Sequence, residues 1–372
     1  MQIKFLLLSR IILSATLIIG EFFFVNSALA GPAPCTVEYL ISEINDANST
    51  PLTTDTIDLS PGCTYILKNI DNSIAGSNGL PVISSPIIIN GHNATILRYP
   101  SAERFRLFYV APVGNLSIND LTLTGGYSYN PAAPNDIPTN SGGAIRNDGQ
   151  LAVSRSTIRR NSGREGGGIF SINDMVIKYV TIDANDDYRG LPGGAGIRNE
   201  GNAAIANTTI SRNGFFPTND TADGIFNAQG GYLEMVNSTV SGNAGCGIDN
   251  EGDLVLNHVT DALNGACAVA SGGDLYTSNS IFTGGCDGTV HPTFPNVTTH
   301  ASCGGPVVPL FAMHLGPLAN NGGLTQTHAL QPGSVAIDIV DRLCLPTDQR
   351  DVSRPQGPKC DAGAYEYVAP PP

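Results

Sequence analysis

Two short motifs alternate between residues 142 and 285, and their spacing limits what the chain can fold into. The first is a small residue, a branched aliphatic, any residue and usually Asn. It occurs at Ala144-Ile145-Arg146-Asn147, Gly196-Ile197-Arg198-Asn199, Gly224-Ile225-Phe226-Asn227 and Gly247-Ile248-Asp249-Asn250, with looser copies at Gly168-Ile169 and Ala268-Val269. The second is Thr, an aliphatic, two variable residues and Asn. It begins at Thr157, Thr181, Thr209 and Thr239. Steps from the first aliphatic to the second are 13, 13, 13 and 15 residues, and the return steps are 11, 15, 15 and 8. Strand-length segments repeating every 20 to 30 residues point to a solenoid. Val, Ile and Thr suit strands, Gly and Asn suit corners, and no helical period runs through the repeats. The expectation is an all-β fold, a right-handed parallel β-helix of roughly ten coils stacked about 4.8 Å apart.

Asn161, Asn185, Asn213 and Asn243 recur at one corner. Asn tolerates the left-handed backbone region, and its amide can bond to the Asn one rung away. These four residues are therefore expected to form a structural ladder.

The N-terminus reads as a secretory signal. Lys4 and Arg10 precede an apolar run over residues 11–25, and Ala28-Leu29-Ala30 offers a cleavage site before Gly31. No later stretch is apolar enough to span a bilayer. The net charge is −13, and removing residues 1–30 takes away two basic residues and one acidic residue, leaving −14. That surplus disfavours nucleic acid and polyanionic partners. Eight cysteines in an exported chain imply four disulfides. Cys35 with Cys63 and Cys344 with Cys360 are the local choices. Cys246, Cys267 and Cys286 lie about one coil apart, so either neighbouring pair could form; Cys246–Cys267 with Cys286–Cys303 leaves no thiol over.

Residues 35–48 are the best helix candidate, because Val37, Leu40, Ile41, Ile44 and Ala47 share one face. Such a helix would cover the open first end of the solenoid. Residues 31–305 are then the β-helix with its cap. Leu116, Ile118, Leu121 and Leu123 should point inward. Residues 306–367, rich in Gly, Pro, Asp and Asn, are expected to form a loop-rich C-terminal cap, with 368–372 as a tail.

The C-terminal stretch contains Leu315-Gly316-Pro317-Leu318-Ala319, Asn321-Gly322-Gly323, Thr327-His328-Ala329-Leu330, Pro332-Gly333-Ser334, Asp348-Gln349-Arg350, Arg354-Pro355 and Cys360-Asp361-Ala362-Gly363-Ala364-Tyr365-Glu366. It resembles the C-terminal domain of bacterial choice-of-anchor Q proteins. Cys35-Thr36-Val37-Glu38-Tyr39-Leu40 resembles their CSLREA-type opening, and the middle is similar to β-helix repeats of the pectate-lyase-like superfamily. The resemblance implies an exported or cell-surface bacterial protein. The residues after the segment, Val368-Ala369-Pro370-Pro371-Pro372, carry no apolar run or sorting signal, so no anchor is expected from them.

That superfamily includes polysaccharide lyases and hydrolases, so the resemblance allows catalytic groups on a coil. A glycosidase needs two carboxylates about 5–10 Å apart, and Asp186-Asp187 is the tight pair on a coil. Asp183, Asp186 and Asp187 with Arg189 could sketch a calcium-dependent lyase site, although a solvated acidic loop is the favoured reading. No other cofactor or metal is expected. His314, His328, Asp338, Asp348, Arg350, Asp361 and Glu366 read as structural members of the C-terminal motif. The sequons at Asn207 and Asn237 fall on the repeat itself and imply no glycosylation.

Coil-length variation concentrates between the Thr motif and the next small-aliphatic motif. The inserts span 127–141, 162–167, 186–195 and 214–223, which should place four loops on one side. Tyr127, Tyr129, Tyr188, Phe215 and Phe216 would offer flat apolar surface there, with Asp186, Asp187, Arg189, Asn219 and Asp220 as hydrogen-bonding groups. A site is expected on these loops or on the strand surface beside them. The resulting expectation is a monomeric, noncatalytic surface protein that adheres to a glycan or cell-surface ligand. The alternative is a polysaccharide lyase or glycoside hydrolase using the same loop face.

Overall fold

Each coil carries three strands rather than the two marked by the sequence motifs. In the coil that starts at Ile145 these are Ile145–Asn147, Gln150–Ser154 and Thr157–Arg159. Every one pairs in parallel and in register with its counterpart in the next coil, Ile169–Ser171, Met175–Lys178 and Thr181–Asp183. The molecule is thus a three-faced parallel β-helix. The structure is a computed structural model, and it describes residues 33–133, 135–187, 193–214 and 222–370.

The first face holds the Ile-x-Asn strands, from Phe108–Val110 to Val269–Ser271. The second runs from Asp55–Asp58 to Val290–Pro292 in ten rungs. The third begins at Thr64–Leu67 and carries the Thr motif. On that third face Thr64, Thr95, Thr122, Thr157, Thr181, Thr209, Thr239 and Thr260 are partners rung by rung. The aliphatic residues point inward. Ile158, Ile182, Ile210 and Val240 stack in one buried column, and Leu116, Ile118, Leu121 and Leu123 are buried as expected. Asp261 takes the next place in the Ile158 column and is fully buried.

The Asn ladder is present and is longer than expected. Asn161 donates to Asn185, Asn185 to Asn213, Asn213 to Asn243 and Asn243 to Asn264, at 2.9 to 3.1 Å. The left-handed residue at this corner is not the Asn, however. It is the residue before it: Arg160, Ala184, Arg212, Gly242 or Leu263, at φ between 53° and 63°. A turn there aims the following Asn side chain inward, where its amide bonds along the stack. A second ladder joins Asn199, Asn227 and Asn250 at the corner between the first and second faces, at 2.8 and 2.7 Å. Asn207 and Asn237 do adopt left-handed geometry. Both are nearly buried, and their amides donate to Asp348, Gln349 and Thr347 carbonyls.

Helix α1, Val37–Asn48, is capped by Thr36 and buries Leu40, Ile44 and Ala47. These join the main core at the first coils, and the Cys35–Cys63 disulfide fastens the entry. Disulfides Cys246–Cys267 and Cys286–Cys303 link neighbouring coils, with Cα separations of 4.4 and 5.0 Å, and Cys344–Cys360 closes the C-terminal segment.

The C-terminal segment starts on the last rung, where Val307 bridges Thr298, but does not stay there. It runs back along the third face. Thr239 Oγ1 donates to Gln349 Oε1 at 2.7 Å, His328 Nε2 lies 2.8 Å from Ser241 Oγ, the Ala364 amide donates to Thr260, and Tyr179 donates to Asp351. The outward residues of this face are short hydroxyls, which the segment can approach closely and saturate with hydrogen bonds. Inside the segment, Arg350–Asp348 (2.6 Å) and Arg354–Glu366 (3.0 Å) are buried ion pairs, and His314 and His328 bond to backbone carbonyls. These residues therefore hold the segment together, as their place in the motif suggested. No described helix is long and apolar enough to cross a membrane.

Candidate functional site

The inserted loops stack, but they do not form the platform their composition suggested. Asp186–Asp187 pairs in parallel with Ser162–Gly163. Bridges join Tyr127 to Ser162 and Ser141 to Glu165. This rung pairing draws the loop bases into the column. Asp186 and Asp187 are consequently 7% and 0% exposed, which corrects the reading of a solvated acidic loop, and Tyr129 at 2% is packed away as well. Tyr127 is half-buried beneath the Arg104 guanidinium, 4.6 Å from its ring centre. Asp183 lies on the third face, before the corner, and pairs with Arg212 at 2.8 Å. Among the described residues no three acidic, His or Cys side chains gather as a metal site. Tyr188, Arg189, Phe215, Phe216, Asn219 and Asp220 lie outside the described residues.

The strand surface beside these loops is more informative. On the first face the variable residue of each Ile-x-Asn strand points outward, because its neighbours point into the core. Register places Tyr109, Arg146, Phe170, Arg198, Phe226, Asp249 and Ala270 in one column. Guanidinium and aromatic rings alternate along it. Arg146 lies over Phe170 at 5.0 Å, and Arg198 lies over Phe226 at 4.6 Å. Each contact is a cation–π stack that also holds the guanidinium plane in place.

Acidic groups flank the column on both sides. Asp148 takes Arg146 at 2.9 Å and accepts from Tyr109 at 3.2 Å. Arg198 sits between Glu165 at 3.2 Å and Glu200 at 2.8 Å. Tyr109, Arg146, Phe170 and Phe226 are buried, while Arg198 and Asp249 are half-buried and reach the surface. There a groove of about 510 Å³ is lined by Arg198, Glu200, Phe226, Ala228, Gln229 and Glu251. Asp249 follows Phe226 in the column but lies outside that lining. Asp223, just before the Gly224-Ile225 strand, lies on the loop side and accepts from the Cys246 amide at 2.7 Å. Burial, and secondarily the Asp249 charge, push the Asp223 carboxyl up to about 7, against the lowering effect of that amide. Burial and then Glu251 raise Asp249.

Sequence reasoning named the adjacent strand surface but not these residues. Phe226, Arg198 and Asp249 occupy the position that the repeat treats as variable. The mixture of ring, cation and acid at that position was the available signal.

With this geometry, comparison with known proteins bears on the fold. Residues 144–298 match the family described as right handed beta helix region. The crystal structure of pectate lyase Pel9A is similar at a TM-score of 0.52, with 17% identity over 87% of this chain and 90% of that one. No curated protein matches the sequence. At that identity the likeness establishes architecture, and the chain is a right-handed parallel β-helix of pectate-lyase-like fold.

Proposed function

We propose that this is an exported β-helix protein that binds a glycan in the first-face groove without cleaving it. The observation that carries this reading is the Arg198–Phe226 stack on the floor of an open groove with carboxylates on both rims. A sugar ring presents an apolar face and a hydroxyl edge. The small exposed edge of Phe226 and the guanidinium plane stacked on it meet the first, and fixed carboxylate and amide groups receive the second. The four disulfides fit an oxidising compartment. The C-terminal choice-of-anchor Q-like segment and the N-terminal signal belong to the same proposal.

A second reading, glycoside hydrolysis, is favoured by one observation. Asp223 is pushed up to about 7 beside Asp249, a poise that suits a general acid near neutral pH. The test is a glycan array with the parent protein and Phe226→Ala, followed by a reducing-end assay on every glycan bound. Binding lost in Phe226→Ala without new reducing ends is the expected result. Reducing ends that disappear in Asp223→Asn would replace binding with hydrolysis. Binding unchanged in Phe226→Ala would move the site elsewhere.

A further inference from the structure

We infer that the C-terminal segment is a clasp that acid loosens from the third face, because two buried histidines lie in its seat on the column. Asn207, Asn237, His258 and Asn279 take the same left-handed corner on successive rungs. Each asparagine donates its side-chain amide to carbonyls of the segment. Asn207 reaches Asp348 and Gln349, Asn237 reaches Thr347, and Asn279 reaches Arg342 and Leu343, at 2.8 to 3.3 Å. His258 stands where its neighbours in the column are Asn. Its ring is fully buried, and neither nitrogen makes a hydrogen bond.

The rung neighbours of His258, Asn237 and Asn279, are uncharged. From the segment, the Leu343, Asp361 and Gly363 carbonyls and the Arg354 guanidinium face the ring. The acids of the segment near Arg354 are engaged elsewhere. Glu366 pairs with Arg354 at 3.0 Å, Asp348 pairs with Arg350 at 2.6 Å, and the Asp361 carboxyl accepts from the Asp338 and Tyr367 amides. Burial first, and the Arg354 charge second, outweigh the carbonyls and bring the His258 ring down to about 3. His328 comes from the segment itself. Its Nδ1 lies 2.7 Å from the Gly316 carbonyl, so that nitrogen carries the proton, and Nε2 accepts from Ser241 Oγ at 2.8 Å. This ring is also buried, and burial lowers it against the pull of the Gly316 carbonyl.

A released ring titrates at about 6.5. The contribution of each neutral ring to docking is therefore complete above that pH and is lost as the pH falls. For His258 the loss continues to about 3, roughly tenfold in the opening equilibrium per pH unit. Asp361 acts in the other sense. Burial pushes its carboxyl up to about 6, so its share is complete below about pH 4 and is lost as the pH rises through 6. Two rings against one acid leave a net loosening in acid.

Amide exchange on the full chain, compared at about pH 7.5 and about pH 4.5 with intrinsic rates removed, tests this. Residues 342–366 are expected to open more often in acid, while the column strands Tyr232–Val236 and Asp253–Asn257 stay protected. His258→Asn gives that corner the residue and the amide donor of its neighbours. It should cut the acid-induced opening by up to about 100-fold. His328→Gln keeps a donor and an acceptor at its site and should cut the opening by a smaller factor, which gives a second reading if the first variant folds poorly. His92→Asn, which replaces an exposed ring on an early coil, should change nothing. Equal protection of the parent segment at both pH values would overturn the inference. A parent-like acid response in either of the two variants would do the same, as would column strands that open together with the segment.

Discussion

Thr239 and Gln349, 110 residues apart, are joined by a 2.7 Å hydrogen bond in which the threonine hydroxyl donates to the side-chain carbonyl. The other end of the same amide donates to Thr209 and Thr325 at 3.0 and 2.9 Å. One buried side chain thereby spans two rungs of the third face and the segment that covers them. Gln349→Ala would leave the Thr239 hydroxyl without its acceptor and would remove a donor from Thr209 and Thr325, which keep their bonds to backbone carbonyls. A loss of about 2–4 kcal/mol is expected, measured by denaturant titration, with proteolysis beginning in residues 315–367. Unchanged stability would mean that the segment is held by other contacts.

The Asn ladder predicts a comparable loss from within the column. Asn213 accepts from both the amide and the side chain of Asn185, and donates to Asn243 and to the Ile182 carbonyl. Asn213→Ala should lower stability by roughly 2–4 kcal/mol. Asn213→Asp keeps the acceptor but loses the donor and buries a charge, so it should do no better. A melting temperature near the parent's in either variant would contradict the ladder's role.

The third prediction is a gain. Asp261 stands in the column of Ile158, Ile182, Ile210 and Val240, and burial raises its carboxyl well above the usual range. A raised acid contributes full stability below its unfolded pKa of about 4 and loses it as the pH climbs toward the folded value. Asp261→Asn keeps the acceptor that Asn264 uses at 2.7 Å and removes the ionisation. The variant should match the parent near pH 4 and exceed it at pH 8, as read by chemical denaturation at both. A variant less stable than the parent at pH 8 would contradict this.

Asp223 extends the same sign to the groove. Its carboxyl is pushed up to about 7, chiefly by burial. Its contribution is therefore complete below about pH 4, is lost between there and about 7, and is constant above. Asp223→Asn should flatten that part of the pH–stability profile and leave the alkaline part parallel to the parent's. A profile that keeps its full slope from pH 4 to 7 would place the titration elsewhere.

Much of the fold was legible because it follows from spacing. The 13-residue step from Ile145 to Ile158 shows that a coil closes, and Asn at one offset shows a corner. The middle strand was missed because its residues change from coil to coil, from Met175-Val176-Ile177 to Ala203-Ala204-Ile205 to Leu254-Val255-Leu256, without a fixed motif like those on either side. Thr260-Asp261 broke the Thr-aliphatic pattern, so the repeat faded although the rung continues. The site was harder to read for a related reason. A repeat is recognised by what stays constant, and Arg198, Phe226 and Asp249 sit where it varies. Burial of Tyr129, Asp186 and Asp187 was hidden because loop composition does not record which loop bases join the rungs.

Hydrogen–deuterium exchange with a glycan retained on the array tests the central claim most directly. Binding in the first-face groove predicts slowed exchange at the Arg198–Glu200, Phe226–Gln229 and Asp249–Glu251 rungs, lost in Phe226→Ala, with the third-face strands Thr157–Arg159 and Thr181–Asp183 unaffected. Protection confined to the third face, or to the loops without these rungs, would contradict the account.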